Sequence, residues 1–589
     1  MTPEPTLTAP EMRPGADLLA EGRRMAADWP LGTCLFLDTE QVPSEAAYKR
    51  RKAAEGRIMQ HAHIGFRSID RTVSAMADLH ASALKRDVRI DRFGITLDWS
   101  MGYPPDRRKD AGRGTGIVLT DPQDFARITN ASPAAAHFGD FMLGLPGALH
   151  NVQAALVAGA TSIGNMGQYF TFRLPYWDDD IATTEATVTA LGLIAAQEAD
   201  ILVHSNLDDG FAGLFLDMTS AFGMMLIEKH IVEDLIGASA SFCFGHHFSS
   251  PLTRAAFLEA LSREVTTPGT MLFGNTVSYR GTPAANYASL ASYLLADIGA
   301  LTRAHTGHAI NPVPVTENLR IPDVDEILDA QTFAARLAEH APAHAALMDR
   351  TQIDTVATQL VEGGRRFAET ALAGLAERGV DTSDPAALML AIRRLGAKRM
   401  EALWGQGPQT QARRAPLVPA DWAEELDEMA ADWVARARAK DGPLAPLRVT
   451  IGTTDVHEHG AYLVSRALDG LEAEVLDAGV ALDAEVLVDR AVQAGADVIA
   501  ISTYNGIALG YARKVMDELA RRGLDLPVLI GGKLNQIPEN SNSDLPTDVT
   551  SEIAETGAIP CAGLDDMLTA LRRIPRKATA EAQQAARPL

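Results

Sequence analysis

Apolar and polar positions along the chain fall into two alternating regimes, separated by a long helical one. From Arg57 to about Pro322, short apolar runs of strand length alternate with stretches of helical spacing. The expected strands are Ile58 to Ala62, Phe93 to Leu97, Asp140 to Leu143, Ala160 to Ile163, Ile201 to His204, Ser241 to Phe244, Met271 to Gly274 and Ala309 to Val313. The expected helices between them include Ile69 to Leu84, Ala148 to Val157, Ala182 to Gln197, Ser220 to Leu235, Thr253 to Ser262 and Tyr287 to Leu301. Such a β/α repeat is the pattern of a (β/α)8 TIM barrel, assigned to residues 16–323 after a disordered lead at 1–15. Residues 324–445 read as a nearly all-helical segment or linker. Within it, Asp381 to Pro385 is a helix-start signal and Gly405 to Pro419 a loop. Residues 446–575 return to strand–helix alternation, as a flavodoxin- or Rossmann-like domain, and 576–589 read as a loose polar tail. The whole is expected to be an α/β protein.

Composition narrows this picture. Apolar content of 47% and charged content of 22% are ordinary for a globular protein, and 589 residues imply several domains. A net charge of −23 argues against nucleic acid and against anionic membrane surfaces. The three cysteines, Cys34, Cys243 and Cys561, lie in or beside apolar stretches and suggest no disulfide framework, which fits a cytoplasmic location. Met1 to Pro14 lacks the basic flank and apolar core of a signal peptide, and no apolar run reaches the ~18 residues of a membrane span.

The chemistry concentrates at Asp455-Val456-His457-Glu458-His459-Gly460. This stretch follows the apolar run Leu447 to Thr454 and precedes a helical pattern. It therefore sits on a strand-to-helix loop at the carboxyl end of a strand, where open α/β sheets bind ligands. A carboxylate two residues from an imidazole fixes its tautomer and raises its basicity as a metal ligand. About forty residues later come Ser502-Thr503-Tyr504, and under thirty after that Gly531-Gly532. Taken alone, Asp455, His457 and Gly460 would fit a flavodoxin-like domain with an incidental surface histidine. All three elements in order, each at a strand end, resemble the cobalamin-binding domain of adenosylcobalamin mutases and methionine synthase.

That resemblance implies that His457 is the lower ligand of the cobalt of cobalamin and that Asp455 orients it. Ser502 would bind the displaced nucleotide tail, with Gly460, Gly531 and Gly532 in the cofactor-binding set. Tyr504 departs from the family, which usually has Leu there. Residues 25 to 325 resemble the catalytic barrel of glutamate mutase (methylaspartate mutase) more weakly. The resemblance rests on Trp29-Pro30-Leu31-Gly32, on Ala160 to Ile163 with Leu174-Pro175-Tyr176, and on Thr316-Glu317-Asn318 with Ile321-Pro322. It implies that Glu317 contacts the adenosyl ribose. Here barrel and cobalamin domain are fused, and face to face they would enclose a dry chamber for radical chemistry.

The departures bear on substrate. The family grips a dicarboxylate with three arginines, because the planar guanidinium pairs bidentately with carboxylate. The corresponding places read Gln60 to Gly65, Asp98 to Tyr103 and Met142 to Pro146, and the family's catalytic Glu falls near Gly164-Asn165. A small-molecule substrate other than glutamate is therefore expected. Candidate catalytic residues are His61 and His63, which share one strand face, with Tyr176 and Arg280. His246-His247, if in a strand, would point to opposite faces and so not ligate one metal together.

The leading expectation is an adenosylcobalamin-dependent radical carbon-skeleton mutase. In that family a 5′-deoxyadenosyl radical takes a hydrogen from substrate and returns it after rearrangement. A corrinoid methyltransferase, which would use methylcobalamin, and a non-catalytic cobalamin-binding or regulatory protein are the alternatives. A homodimer or a partner subunit is compatible with each of these readings.

Overall fold

The computed structural model describes residues 5–111, 114, 116–279, 281–410, 413–444, 447–504, 506–536 and 546–574. The chain divides into two compact units: Met1–Phe172 with Asp179–Trp422, and Arg173–Asp178 with Ala423–Leu589. The helical stretch expected as a separate linker divides between them.

The first unit contains β1 (Met59–Ile64), β2 (Arg92–Ile95), β3 (Ala135–His137), β4 (Ser162–Gly164), β5 (Leu202–Asn206), β6 (Ser239–Cys243), β7 (Met271–Leu272) and β8 (Ala309–Ile310). One parallel sheet runs β3-β2-β1-β8-β7 and a second runs β4-β5-β6. Isolated parallel bridges join Phe138 to Ile163 and Phe244 to Leu272, at the edges where the two sheets meet. Helices follow the strands with their caps in place. Asp121 accepts from the backbone N–H groups of Gln123 and Asp124, Ser250 from Thr253 and Thr282 from Ala285, each ahead of a proline in the first helical turn.

The strand expected at Asp140 to Leu143 is a turn. The strand is β3, Ala135–His137, whose alanines carry little intrinsic strand preference. Neighbouring strands impose it: Arg92, Phe93 and Gly94 of β2 pair with Ala135, Ala136 and His137. The lead expected to be disordered is held from residue 5 onward. Leu7 is buried, and Arg394 donates to the carbonyls of Thr6 and Thr8 at 3.1 and 3.0 Å. The long helix Arg350–Glu377 packs closely on Met218–Lys229, because a Cβ at Gly364 would stand 2.7 Å from Phe222.

The second unit contains β9 (Arg448–Thr453), β10 (Glu474–Gly479), β11 (Val498–Thr503), β12 (Val528–Gly532), the short hairpin β13 (Asn535–Gln536) and β14 (Thr547–Asp548), and β15 (Ile559–Cys561). Its parallel sheet has the order β10-β9-β11-β12-β15. Ile499 and Ile501 pack on one side with Leu487, Val515 and Ile530. Val498 and Ala500 pack on the other with Val449, Leu468 and Leu568. Both faces of β11 are thus buried, which explains why its sequence is apolar without a break. Trp433 is anchored to this unit by its indole N–H, which donates to Asp565 at 2.8 Å.

Candidate cofactor site and strand-end groups

In the second unit, the first strand in chain order, β9, lies between the second, β10, and the third, β11. The chain therefore leaves β9 and β11 toward opposite faces of the sheet, and the crevice between their carboxyl ends is the switch point where such sheets bind ligands. Asp455 follows β9 by two residues and Tyr504 follows β11 directly.

Asp455 is the hub of this crevice. Its Oδ1 accepts from the backbone N–H of His457 at 3.0 Å and from His457 Nδ1 at 2.5 Å. Its Oδ2 accepts from the Thr454 hydroxyl at 2.9 Å and from the Tyr504 backbone N–H at 3.0 Å. Burial works to raise the Asp455 carboxyl, but these bonds, that from His457 first, hold it below the usual carboxylate range. An ionised carboxylate only accepts, so Nδ1 carries a proton, and the tautomer this selects is the one whose lone pair lies on Nε2. Among the described residues Nε2 has no hydrogen-bond partner, and the side chain is 44% exposed. A neutral imidazole with a fixed tautomer and a free lone pair is a ready metal ligand. The His457 ring also rests against the Tyr504 ring, with centroids 4.5 Å apart.

The other motif residues line the same strand ends. Ser502 stands in register between Thr453 of β9 and Gly531 of β12. A Cβ at Gly460, in the first turn of the helix His459–Gly470, would meet the Ser502 hydroxyl at 2.6 Å. Gly532 has φ +103°, and a Cβ there would lie 2.2 Å from the Thr503 carbonyl, so no other residue fits. At Gly531 the neighbour is the Cys561 carbonyl, 3.2 Å from where a Cβ would be. The second unit thus brings Asp455, His457, Gly460, Ser502, Gly531 and Gly532 to one end of three adjacent strands.

In the first unit, His61 and His63 lie on β1 with their rings 6.0 Å apart. Arg92 Nη1 lies 3.2 Å from His61 Nδ1. A guanidinium only donates, so Nδ1 accepts and the neutral imidazole carries its proton on Nε2. Burial, then the charge of Arg92, pushes His61 well below its ordinary value, and His63 down to about 4, so both rings are neutral near pH 7. His61 Nε2 and His63 Nδ1 are buried without a hydrogen-bond partner. Both flank Gly94 on the neighbouring strand: a Cβ there would stand 2.6 and 2.7 Å from them.

Sequence reasoning missed a carboxyl pair. Asn165, directly after β4, donates through Nδ2 to Asp140 at 3.3 Å and to Asp209 at 2.8 Å. Asp140 and Asp209 each follow a strand by three residues, β3 and β5. Burial raises both carboxyls, and the charge of Asp140 raises Asp209 further. A carboxylate three residues past each of two strand ends was the available signal. It was overlooked because the strand before Asp140 was misplaced.

Other candidates take structural roles or lie elsewhere. Tyr176 belongs to the segment Arg173–Asp178, which groups with the second unit; its backbone N–H donates to Asp483 at 3.1 Å and Lys514 Nζ lies 4.7 Å from its ring centre. Glu317 is exposed in the turn after β8. Arg280 and the tail at 576–589 lie outside the described residues. His246 and His247 sit in a turn after β6, not in a strand, and their rings touch, with centroids 4.6 Å apart. Both backbone N–H groups donate to Asp208 at 3.0 Å. Among the described residues no group of three or more His, Cys, Asp or Glu side chains could hold a metal ion, and no helix is long and apolar enough to cross a membrane.

Residues 448–552 match the B12 binding domain family. A stretch of 90 residues is 33% identical to the 2-hydroxyisobutanoyl-CoA mutase small subunit of Aquincola tertiaricarbonis, covering 15% of this chain and 66% of that subunit, just short of two thirds of its length. A solved structure of a novel cobalamin-binding protein from Desulfitobacterium hafniense DCB-2 aligns at 16% identity, over 35% of this chain and 91% of that one, with a TM-score of 0.21. The chain is therefore an α/β protein with a C-terminal B12-binding domain, similar there to a B12-dependent mutase subunit.

Proposed function

We propose that the protein is an adenosylcobalamin-dependent carbon-skeleton mutase of the glutamate-mutase type, acting on a small substrate other than glutamate. One observation carries the reading. At the switch point of a B12-binding domain, His457 is held in the tautomer that leaves Nε2 free. His457 would hold the cobalt, oriented by Asp455. Ser502, Gly460, Gly531 and Gly532 would receive the nucleotide tail. When bound, the cofactor supplies a cobalt–carbon bond whose homolysis starts radical chemistry.

On the same reading, the eight strands of the first unit close as a (β/α)8 barrel, with Phe138–Ile163 and Phe244–Leu272 as its two narrow seams. His61 would offer its Nε2–H and His63 its Nδ1 to a substrate oxygen, both ring nitrogens being buried without a hydrogen-bond partner. Neutral imidazoles in place of arginines suit a carbonyl or hydroxyl better than a second carboxylate. Asp140 and Asp209 would hold or release one proton at the strand ends. Glu317 toward the adenosyl ribose, and Tyr176 and Arg280 toward substrate, rest on the family resemblance alone. The related mutase chain is named a small subunit, which supports a partner subunit.

The test is label transfer by the full chain. With adenosylcobalamin tritiated at its 5′ carbon and a panel of small hydroxy-, keto- and amino acids and their thioesters, a mutase moves tritium into one substrate and its isomer. Methyl transfer from methylcobalamin without tritium transfer would make the protein a corrinoid methyltransferase. Binding of cofactor with neither transfer would make it a binding or regulatory component.

A further inference from the structure

We propose that Tyr504 is a positioning residue for His457 toward a corrinoid; this rests on the cofactor reading above. The same Asp455 carboxylate holds both residues, His457 through Oδ1 and the backbone of Tyr504 through Oδ2. Their side chains are then brought face to face, with ring centroids 4.5 Å apart and planes tilted by 36°. The bond to Asp455 fixes which nitrogen faces the metal but leaves the ring free to swing about that bond. An aromatic face at van der Waals distance stops the swing on one side, at little entropic cost to a ring with two side-chain torsions.

Tyr504 is itself braced. Lys533, directly after Gly532, has its Nζ 6.0 Å from the centre of the Tyr504 ring, and its backbone N–H donates to the Thr503 carbonyl at 2.8 Å. The loops after β9, β11 and β12 are thus linked in series through His457, Tyr504 and Lys533. Tyr504 is 51% exposed, so burial of the ring in the core does not explain a tyrosine there. The family pattern has Leu at this place, which offers no flat face to an imidazole. The inference is that this chain needs a stiffer lower ligand, built from the aromatic ring.

The experiment compares wild type, Tyr504→Leu and Tyr504→Phe as full chains loaded with cob(II)alamin. The readouts are the nitrogen splitting in the electron paramagnetic resonance spectrum and the dissociation constant for cobalamin. Protein labelled with nitrogen-15 histidine identifies the splitting nitrogen as a histidine's, and its loss in His457→Ala assigns it to His457. The expected result is a His-on wild type, a Leu variant that binds about tenfold more weakly with part of its cobalt unligated by nitrogen, and a Phe variant close to wild type. A His-on wild type with an unchanged Leu variant overturns the role of Tyr504 and leaves the cofactor reading standing. A Phe variant as impaired as the Leu variant also overturns it, since the ring is then not the agent. A wild type without histidine splitting removes the cofactor reading, and this inference with it.

Discussion

At the scale of single residues, Asp455 decides what His457 can do. Its Oδ1 takes the Nδ1 proton, and its Oδ2 is already occupied by Thr454 and Tyr504. Asp455→Asn would place an amide N–H against at least one of these donors. Cobalamin affinity should fall by roughly 10–100-fold, as for other groups that orient a metal ligand, with the fold unchanged by circular dichroism. Gly532 answers to geometry instead. With φ +103° and a carbonyl 2.2 Å from any Cβ, Gly532→Ala should destabilise the second unit by about 1–3 kcal/mol in urea titration. The spacing of Asp455, His457 and Gly460 made the ligand legible, because a strand-end loop leaves few ways to arrange those residues. Tyr504 was legible only as a departure, since sequence does not show which ring it touches. Asp140 and Asp209 escape the sequence reading for a different reason: the strand expected at Asp140 hides its place past a strand end, and the pair meets through Asn165 only once three strands align.

At the scale of elements, the apolar runs at β9 and β11 were readable because both faces of those strands are buried. β3 was not, because Ala135 and Ala136 take their conformation from β2 and carry no pattern of their own. The helix Met218–Lys229 holds a further consequence. Its Glu228 is buried, accepts from the Ser205 hydroxyl on β5 at 2.9 Å, and is pushed by burial from 4.5 to about 8. Between those values the unfolded chain has released this proton and the folded chain retains it. Stability from Glu228 is therefore full below pH 4.5 and is lost as pH rises toward 8. Glu228→Gln keeps the size and an acceptor for Ser205 but removes the proton. Thermal melts from pH 5 to 8 should fall less steeply for the variant than for wild type, with the variant the more stable at pH 8 by the order of a few kcal/mol. His63, pushed down to about 4, acts with the opposite sign, losing stability as pH falls below 6.5, and is common to both proteins.

At the scale of the whole molecule, the sequence distinguished a β/α repeat, a helical stretch and a second α/β domain. It misjudged where the helical stretch belongs. Helices run from Val324 to Asp441 on both sides of the loop at Gly405 to Pro419, while the division between units falls after Trp422. Only packing tells them apart: Asp421 accepts from Ser250 in the first unit, and Trp433 donates to Asp565 in the second. The account as a whole stands on His457 as a ligand to cobalt. The most direct measurement is the ultraviolet–visible spectrum of the full chain titrated with adenosylcobalamin, beside His457→Ala. Saturable binding is expected, with the cofactor's own base displaced and histidine ligation lost in the variant. Equal spectra for wild type and His457→Ala, or no binding by either, would contradict it.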